Sequence, residues 1–291
     1  MKTELHCHTN ISDCPLSIEQ VLDLALEQKI SYLAITNHDT TKGLREAAER
    51  GLKYGIEVIP GIEISAFDFT RGRRVHILGY FIEPGHHAIE KLCQPLVEKR
   101  HRASEEMVHR LNQGGYTITW ERCLELAQGG TGVYKQHIMH ALKEANYTDS
   151  IYGPLYKKLF NRGQNGEKPG IAFIPMEYVD AKAAVAAVCQ AGGVPVLAHP
   201  GQYGNFDMVP DLFEAGLQGI EVWHPLHDEK HEEEARRLAI KHSLIMTGGS
   251  DFHGEYGEQP VELGSKCPGI ETLAALHARR ALIKKKRNIG V

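Results

Sequence analysis

The chain has 291 residues, 42% of them hydrophobic and 24% charged, with a formal net charge of −4. That length allows one large domain or a domain with an insertion, and the charge excludes a globally basic nucleic-acid binder. The six scattered cysteines contain no C-x-x-C pair, which excludes a zinc ribbon or thioredoxin motif and reads as free thiols of a reducing compartment.

In chain order, residues 3–5 form a first strand that stops at His6-Cys7-His8. Ser17-Ile18-Glu19-Gln20 has capping-box form and opens a helix with Val21, Leu22, Ala25 and Leu26 on one side. A strand at 32–36 meets Asn37-His38-Asp39. A second helix carries Leu44, Ala47, Ala48 and Leu52 and is closed by Gly55. Residues 56–64 form a third strand containing Glu63, and 74–81 a fourth containing His76. Strands alternating with helices of this length predict βα units and a parallel sheet.

After Phe81 the rhythm breaks. Helical pieces are predicted at 88–112, 120–127, 136–145 and 152–160, followed by a loop at 161–170. No ligand-type strand ending occurs between His76 and His199, so 84–179 reads as a mostly helical insertion into a barrel formed by 1–83 and 180–291. The barrel resumes with a helix at 181–191 and a strand ending at His199-Pro200. A helix near 207–215 precedes a strand at 220–223 ending at His224, with His227 close behind. An acidic helix at 228–242 leads to a strand that runs through Gly248 and Gly249 into Ser250-Asp251-Phe252-His253. A last helix spans 270–283, and the basic tail Lys284 to Arg287 reads as a solvated end. No apolar run approaches the ~20 residues of a membrane span. The N-terminus has no signal-peptide core, so a cytoplasmic protein is expected.

The chemistry lies at the strand ends, which a parallel α/β barrel gathers on one face. His6 and His8 share a face by alternation, and Asp13 follows within reach. Either His38 or Asp39 could ligate, or Asp39 orients His38 or caps the next helix. A carboxylate such as Glu63 inside an apolar strand needs a partner, and a bridged pair of cations would supply one. His76, His199, Asp251 and His253 complete the set. Gly248 and Gly249 leave room for ions or phosphate near the backbone. Imidazole mixed with carboxylate suits manganese, iron or zinc, so the chain reads as a multi-metal hydrolase.

This ordered set resembles the polymerase and histidinol phosphatase (PHP) phosphoesterases. The matching motifs are H-x-H at His6 and His8, H-D at His38 and Asp39, then Glu63, His76, H-P at His199, and D-x-H at Asp251 and His253. The resemblance implies a distorted (β/α)7 barrel with two or three divalent metal ions. His6, His8, Glu63 and Asp251 would hold the first ion; Asp13, His38 and His253 the second; Glu63, His76 and His199 the third. The insertion is similar to that of a subgroup acting on nucleoside 3′,5′-bisphosphates or short 5′-phosphorylated RNA. Metal-activated water would then attack phosphorus, with Asp251 and Glu63 essential to catalysis. Lys135 would contact a substrate phosphate, and His227 would contact phosphate or protonate the leaving oxygen.

Two positions depart from the family pattern. Asn37 stands where an aspartate is usual, and Lys135 where an arginine is usual, so phosphate would be met by a point charge rather than a bidentate fork. With Lys168 and Arg162 as further cations, and Tyr134, Tyr152 and Phe173 as stacking rings, the insertion is expected to read a second phosphate and a base. A histidinol-phosphate-type phosphatase and a catalytically silent metal-binding module are the alternatives. No obligate protein partner is expected.

Overall fold

The computed structural model describes residues 1–163 and 166–289, with side chains through residue 285. The first half runs β1 (Lys2–Cys7), α1 (Ile18–Glu27), β2 (Ile30–Ile35), α2 (Leu44–Tyr54), β3 (Glu57–Asp68) and β4 (Arg73–Tyr80). Four helices follow: α3 (His87–Gln113), α4 (Trp120–Leu126), α5 (Lys135–Glu144) and α6 (Pro154–Phe160). The second half contains β5 (Val179–Asp180), α7 (Ala181–Gln190), β6 (Val194–Leu197), α8 (Pro200–Tyr203), α9 (Val209–Glu214), β7 (Gly219–Trp223), α10 (Glu229–His242), β8 (Ile245–Gly248) and α11 (Ile270–Ile289).

Local chemistry explains several boundaries. Ser17 caps α1 with the full reciprocal capping box to Gln20, and Gly55 closes α2 at φ +67°. Asp180 accepts from two backbone amides at the start of α7. Asp39 does not cap α2, whose N-cap is Gly43.

The main sheet path is β1-β2-β3-β4-β6-β7-β8, with β5 beside β3. It departs from the all-parallel expectation at β4, which runs antiparallel to both β3 and β6. This reversal is the distortion of the α/β barrel. At the other edge, Phe252 N–H donates to the His6 carbonyl and His8 N–H to the Phe252 carbonyl. The end of β1 therefore meets the turn after β8.

The largest core cluster joins α1, α2, α7 and the helix-facing sides of β2, β3 and β7 through residues such as Val21, Leu33, Ile62, Val185 and Val222. A second core lies among α3 to α6, from Met107, Leu111, Ile138, Leu142 and Phe160. Helix α3 belongs to both, because Ile89 and Cys93 pack in the first cluster and Met107 and Val108 in the second. Tyr256, which follows β8, also packs in the second core. Among the described residues, no helix is long and apolar enough to cross a membrane. Lys284 and Lys285 are exposed, while the side chains of Lys286 and Arg287 lie outside the described residues.

Candidate metal centre

The strand-end residues converge. The Nε2 atoms of His6 and His8 lie 3.1–3.2 Å from Glu63 Oε2 and from Asp251 Oδ1. Two imidazoles and two carboxylates thus close around one point. On one side, Asp13 lies 3.5 Å from His253 and 3.7 Å from His38. On the other, Glu63 Oε1 lies 2.6 Å from His76 Nδ1 and 2.8 Å from His199 Nε2. The two oxygens of Glu63 therefore face different imidazole sets, which is the geometry of a bridging ligand. Ligand atoms of His6, His8, Glu63 and Asp251 can share one ion, as can those of His8, Asp13, His38 and His253, and those of His38, Glu63 and His76.

His76 reaches this place because β4 is reversed. The site-facing end of an antiparallel strand is its N-terminal end, and His76 is the fourth residue of β4. Glu63 lies in mid-strand because β3 continues past the site to Asp68. Asp39, His199 and Asp251 adopt positive φ values of 56°, 22° and 49°. Such strained backbone clusters where surrounding structure and function require it.

The chemistry of the donor set fits divalent ions. His6 Nε2, His8 Nε2, Asp13 Oδ1, His38 Nδ1, His199 Nδ1 and Asp251 Oδ1 are buried without a well-directed hydrogen-bond partner. Burial would raise the Glu63 carboxyl, but His38, His76 and His6 outweigh it and hold it well below the usual range. A buried carboxylate ringed by several imidazoles is a donor set that suits a divalent ion.

Supporting residues fix the ligands. Glu221 Oε1 takes His6 Nδ1 at 3.0 Å, turning Nε2 inward, and Glu221 Oε2 accepts the His199 backbone amide. Glu4 accepts from the amides of His6, Ser250 and Gly264. His224 Nδ1 accepts the Leu226 amide, so its Nε2 carries the proton directed at Asp251, 3.3 Å away. His6, Glu221 and His224 also lie close enough to suggest an ion. Those bonds commit their nitrogens to support instead. Sequence reasoning gave Glu4 and Glu221 no role. The signal was present: each is a buried acid in an apolar strand, the same feature that marks Glu63.

Other expectations change. His227 is not brought into the cavity. Its Nδ1 bonds the Val222 carbonyl, its Nε2 accepts the Gly201 amide, and burial pushes it down to about 4. Both ring nitrogens are committed to backbone, so no proton is free for a leaving group. Gly248 and Gly249 do not make room for an ion. A Cβ at Gly248 would meet the Trp223 carbonyl, and one at Gly249 would meet His6 at 2.4 Å. Asn37 knits the first loop, accepting from the Thr9 amide and the Ser12 hydroxyl. The cavity over the cluster, about 120 Å³, is lined by Asp13, His76, Gln136, Tyr152, Tyr203 and Ser250, among others. Of the three expected stacking rings, only Tyr152 lines it. Tyr134 is buried beneath Arg100, and Phe173 is absent from the lining.

Residues 4–158 match the PHP domain. The chain belongs to the PHP family of metal-dependent phosphoesterases. It is 44% identical over 268 residues to a phosphoribosyl 1,2-cyclic phosphate 1,2-diphosphodiesterase of Eggerthella lenta, covering 92% of this chain and 100% of that protein. It is 30% identical over 265 residues to a 3′,5′-nucleoside bisphosphate phosphatase of Chromobacterium violaceum, covering 87% and 88%. A Bifidobacterium adolescentis structure, provisionally described as a metal-dependent phosphoesterase, superposes with a TM-score of 0.83 at 28% identity, covering 95% and 96%. This PHP chain is thus an enzyme of phosphoester hydrolysis on a distorted α/β barrel.

Proposed function

We propose that this PHP chain hydrolyses a phosphate ester on a ribosyl metabolite that carries a second phosphate, with a phosphoribosyl cyclic phosphate as the leading substrate. One observation carries the reading: among the described residues, three cations that make no ion pair with a carboxylate, Arg74, Lys135 and Arg162, gather near the metal centre, outside the lining of its cavity. Arg74 lies two residues before His76 on β4, hence on the same strand face. Its guanidinium stacks on Tyr178, and its buried Nε has no hydrogen-bond partner. Lys135 Nζ sits over the Phe160 ring, and burial, with Arg74 and Arg162 next in order, pushes it down to about 8. Arg162 is likewise lowered by burial and by Arg74. Tyr203 links this group to the centre, with its ring 5.3 Å from that of His76 and 5.7 Å from that of His199. Like charges gathered without counter-charge destabilise a fold unless an anion joins them. A phosphate dianion supplies that charge.

The ligand sets are read as three, with Glu63 common to the first and third. His6, His8, Glu63 and Asp251 would hold one ion. Asp13, His38 and His253 would hold another, and Glu63, His76 and His199 the last. Manganese, iron or zinc suits these donors. Bound divalent ions supply Lewis acidity and a water of near-neutral pKa for in-line attack on phosphorus. The chain's own part is placement. Glu221 and His224 fix His6 and Asp251, the cations anchor the second phosphate, and Ser250 offers a buried hydroxyl at the cavity wall. The small cavity and the full-length similarity to the phosphoribosyl enzyme favour a compact sugar phosphate over RNA. Cytoplasmic residence fits the buried thiols of Cys7, Cys14, Cys93 and Cys123.

The test compares kcat/KM of manganese-loaded protein on phosphoribosyl 1,2-cyclic phosphate, adenosine 3′,5′-bisphosphate, a 5′-phosphorylated RNA dinucleotide and histidinol phosphate. The first should be preferred. If the nucleoside bisphosphate is preferred, the two-phosphate reading stands and the sugar assignment falls. Histidinol phosphate as the best substrate would overturn both.

A further inference from the structure

The three ligand sets are not supported alike. Around the first and third, the ligands themselves are held from the barrel by Glu4, Glu221 and His224, and α3 reaches no nearer than Ser65, which Arg100 bonds two residues past Glu63. The second set, Asp13, His38 and His253, is tied to the helices α3 to α6 directly at Asp13, through the carbonyl at His38, and at His253 through Tyr256 three residues on.

Gln136, on the first turn of α5, donates to Asp13 Oδ2 at 3.0 Å and is fixed by a second bond to the Tyr152 hydroxyl. The loop carrying Asp13 is also held from the insertion, since Thr131 donates its amide and hydroxyl to the Ile11 carbonyl. The Tyr134 hydroxyl donates to the His38 carbonyl. The next residue, Asp39, has a fully buried carboxylate that pairs with Arg100 of α3 at 2.6 Å and accepts the Ser65 amide. Arg100 also lies over the Tyr134 ring. Three residues beyond His253, Tyr256 enters the insertion's core, where its hydroxyl meets His140 Nδ1 at 2.7 Å and its ring lies edge-on to His137.

We infer that the insertion controls occupancy of the Asp13–His38–His253 set, with Gln136, Arg100 and Tyr256 acting as positioning residues, and that an ion there in turn holds the insertion down. The coupling is reciprocal by linkage: what the insertion adds to ion affinity, the ion adds to insertion docking. The inference rests on the three ligand sets above, and its readouts are metal content and backbone protection, not substrate turnover.

Gln136→Met keeps length and burial but removes the donor to Asp13. Manganese titration followed by metal analysis should show one class of ion weakened about 10–100-fold, with the others unchanged, as expected when an outer hydrogen bond to a ligand is lost. Tyr256→Phe, which removes only the hydroxyl, should weaken the same class. In the wild-type chain, manganese should slow hydrogen exchange across α5 and the second half of α3. Asp13→Asn should abolish that slowing and His76→Ala should keep it. Wild-type ion affinities in both Gln136→Met and Tyr256→Phe would overturn the inference, as would metal-independent exchange in the insertion. A wild-type chain that binds no ion would instead overturn the ligand sets themselves.

Discussion

The sheet strands and the helices α3 to α6 place their candidate functional residues by different rules. In the barrel, the sheet fixes each ligand. Glu4 and His6 share one face of β1 by alternation, with His8 just past its end, and pairing through β2 sets their height relative to Glu63. In the insertion, Arg100, Lys135 and Gln136 come from two helices whose relative placement depends on how Met107, Leu111, Ile138 and Leu142 pack. A sheet-borne site survives changes in its surroundings, whereas a helix-borne contact moves with its core. The barrel should therefore own the chemistry, while the insertion tunes affinity and specificity.

The largest effect expected lies at the barrel's shared ligand. Glu63→Gln keeps volume but removes the charge that faces five imidazoles. Turnover should fall at least about a thousandfold, equivalent to roughly 4 kcal/mol, with the fold retained. Metal analysis of the same variant should show ion loss. More than half the wild-type turnover would mean that the centre does not depend on Glu63.

The next effect tests the seam between the two regions. Arg100→Met leaves the Asp39 carboxylate buried without its cation, which costs about 3 kcal/mol. Urea unfolding should show the loss, and the double change Arg100→Met with Asp39→Asn should recover part of it. No recovery would mean that Arg100 stabilises by packing on Tyr134 rather than by its charge.

These cases also show where the sequence was legible. His6, His8, His38, Glu63, His76, His199, Asp251 and His253 stood out because ionisable residues in or beside apolar strands have few structural uses. The order of α and β elements was readable from periodicity and caps. The reversal of β4 was not, because strand direction leaves no local mark in a short apolar run. Arg74 was passed over for the same reason as Arg100: a cation beside a strand end or on a charged helix looks solvated until its partners are known. His227 looked catalytic from its position near a strand end, but the turn after β7 aims it at backbone and leaves His224 facing Asp251.

A smaller effect separates binding from stability. Arg74→Ala removes one member of a like-charged group, so the fold should hold or gain slightly in thermal denaturation. Affinity for a two-phosphate substrate should fall by about 2 kcal/mol, roughly thirtyfold in KM, as when one charge-assisted hydrogen bond is lost. A generic aryl phosphate, with no second phosphate, should be unaffected. Equal losses on both substrates would place Arg74 at the reacting phosphate.

The smallest effect is one of pH. Lys135 is pushed down to about 8, chiefly by burial and then by Arg74 and Arg162. The free enzyme therefore loses this charge as pH rises through about 8, whereas a substrate phosphate remains a dianion there, its second pKa being near 6. The ratio kcat/KM for a two-phosphate substrate reports the free enzyme and should decline a few-fold across that range. Lys135→Arg stays charged and should flatten the decline. Stability has the opposite sign. Between about pH 8 and the ordinary lysine value of about 10.4, the unfolded chain binds the proton that the folded chain has released, so folding gains stability as pH rises. An ion-paired lysine stays protonated in both states over that window, so it would add no slope there and would lose stability only above about 10.4. If the wild-type urea midpoint gains nothing over Lys135→Met between about pH 8 and about 10, and kcat/KM shows no decline that Lys135→Arg removes, then Lys135 is paired in solution and is not waiting for a phosphate.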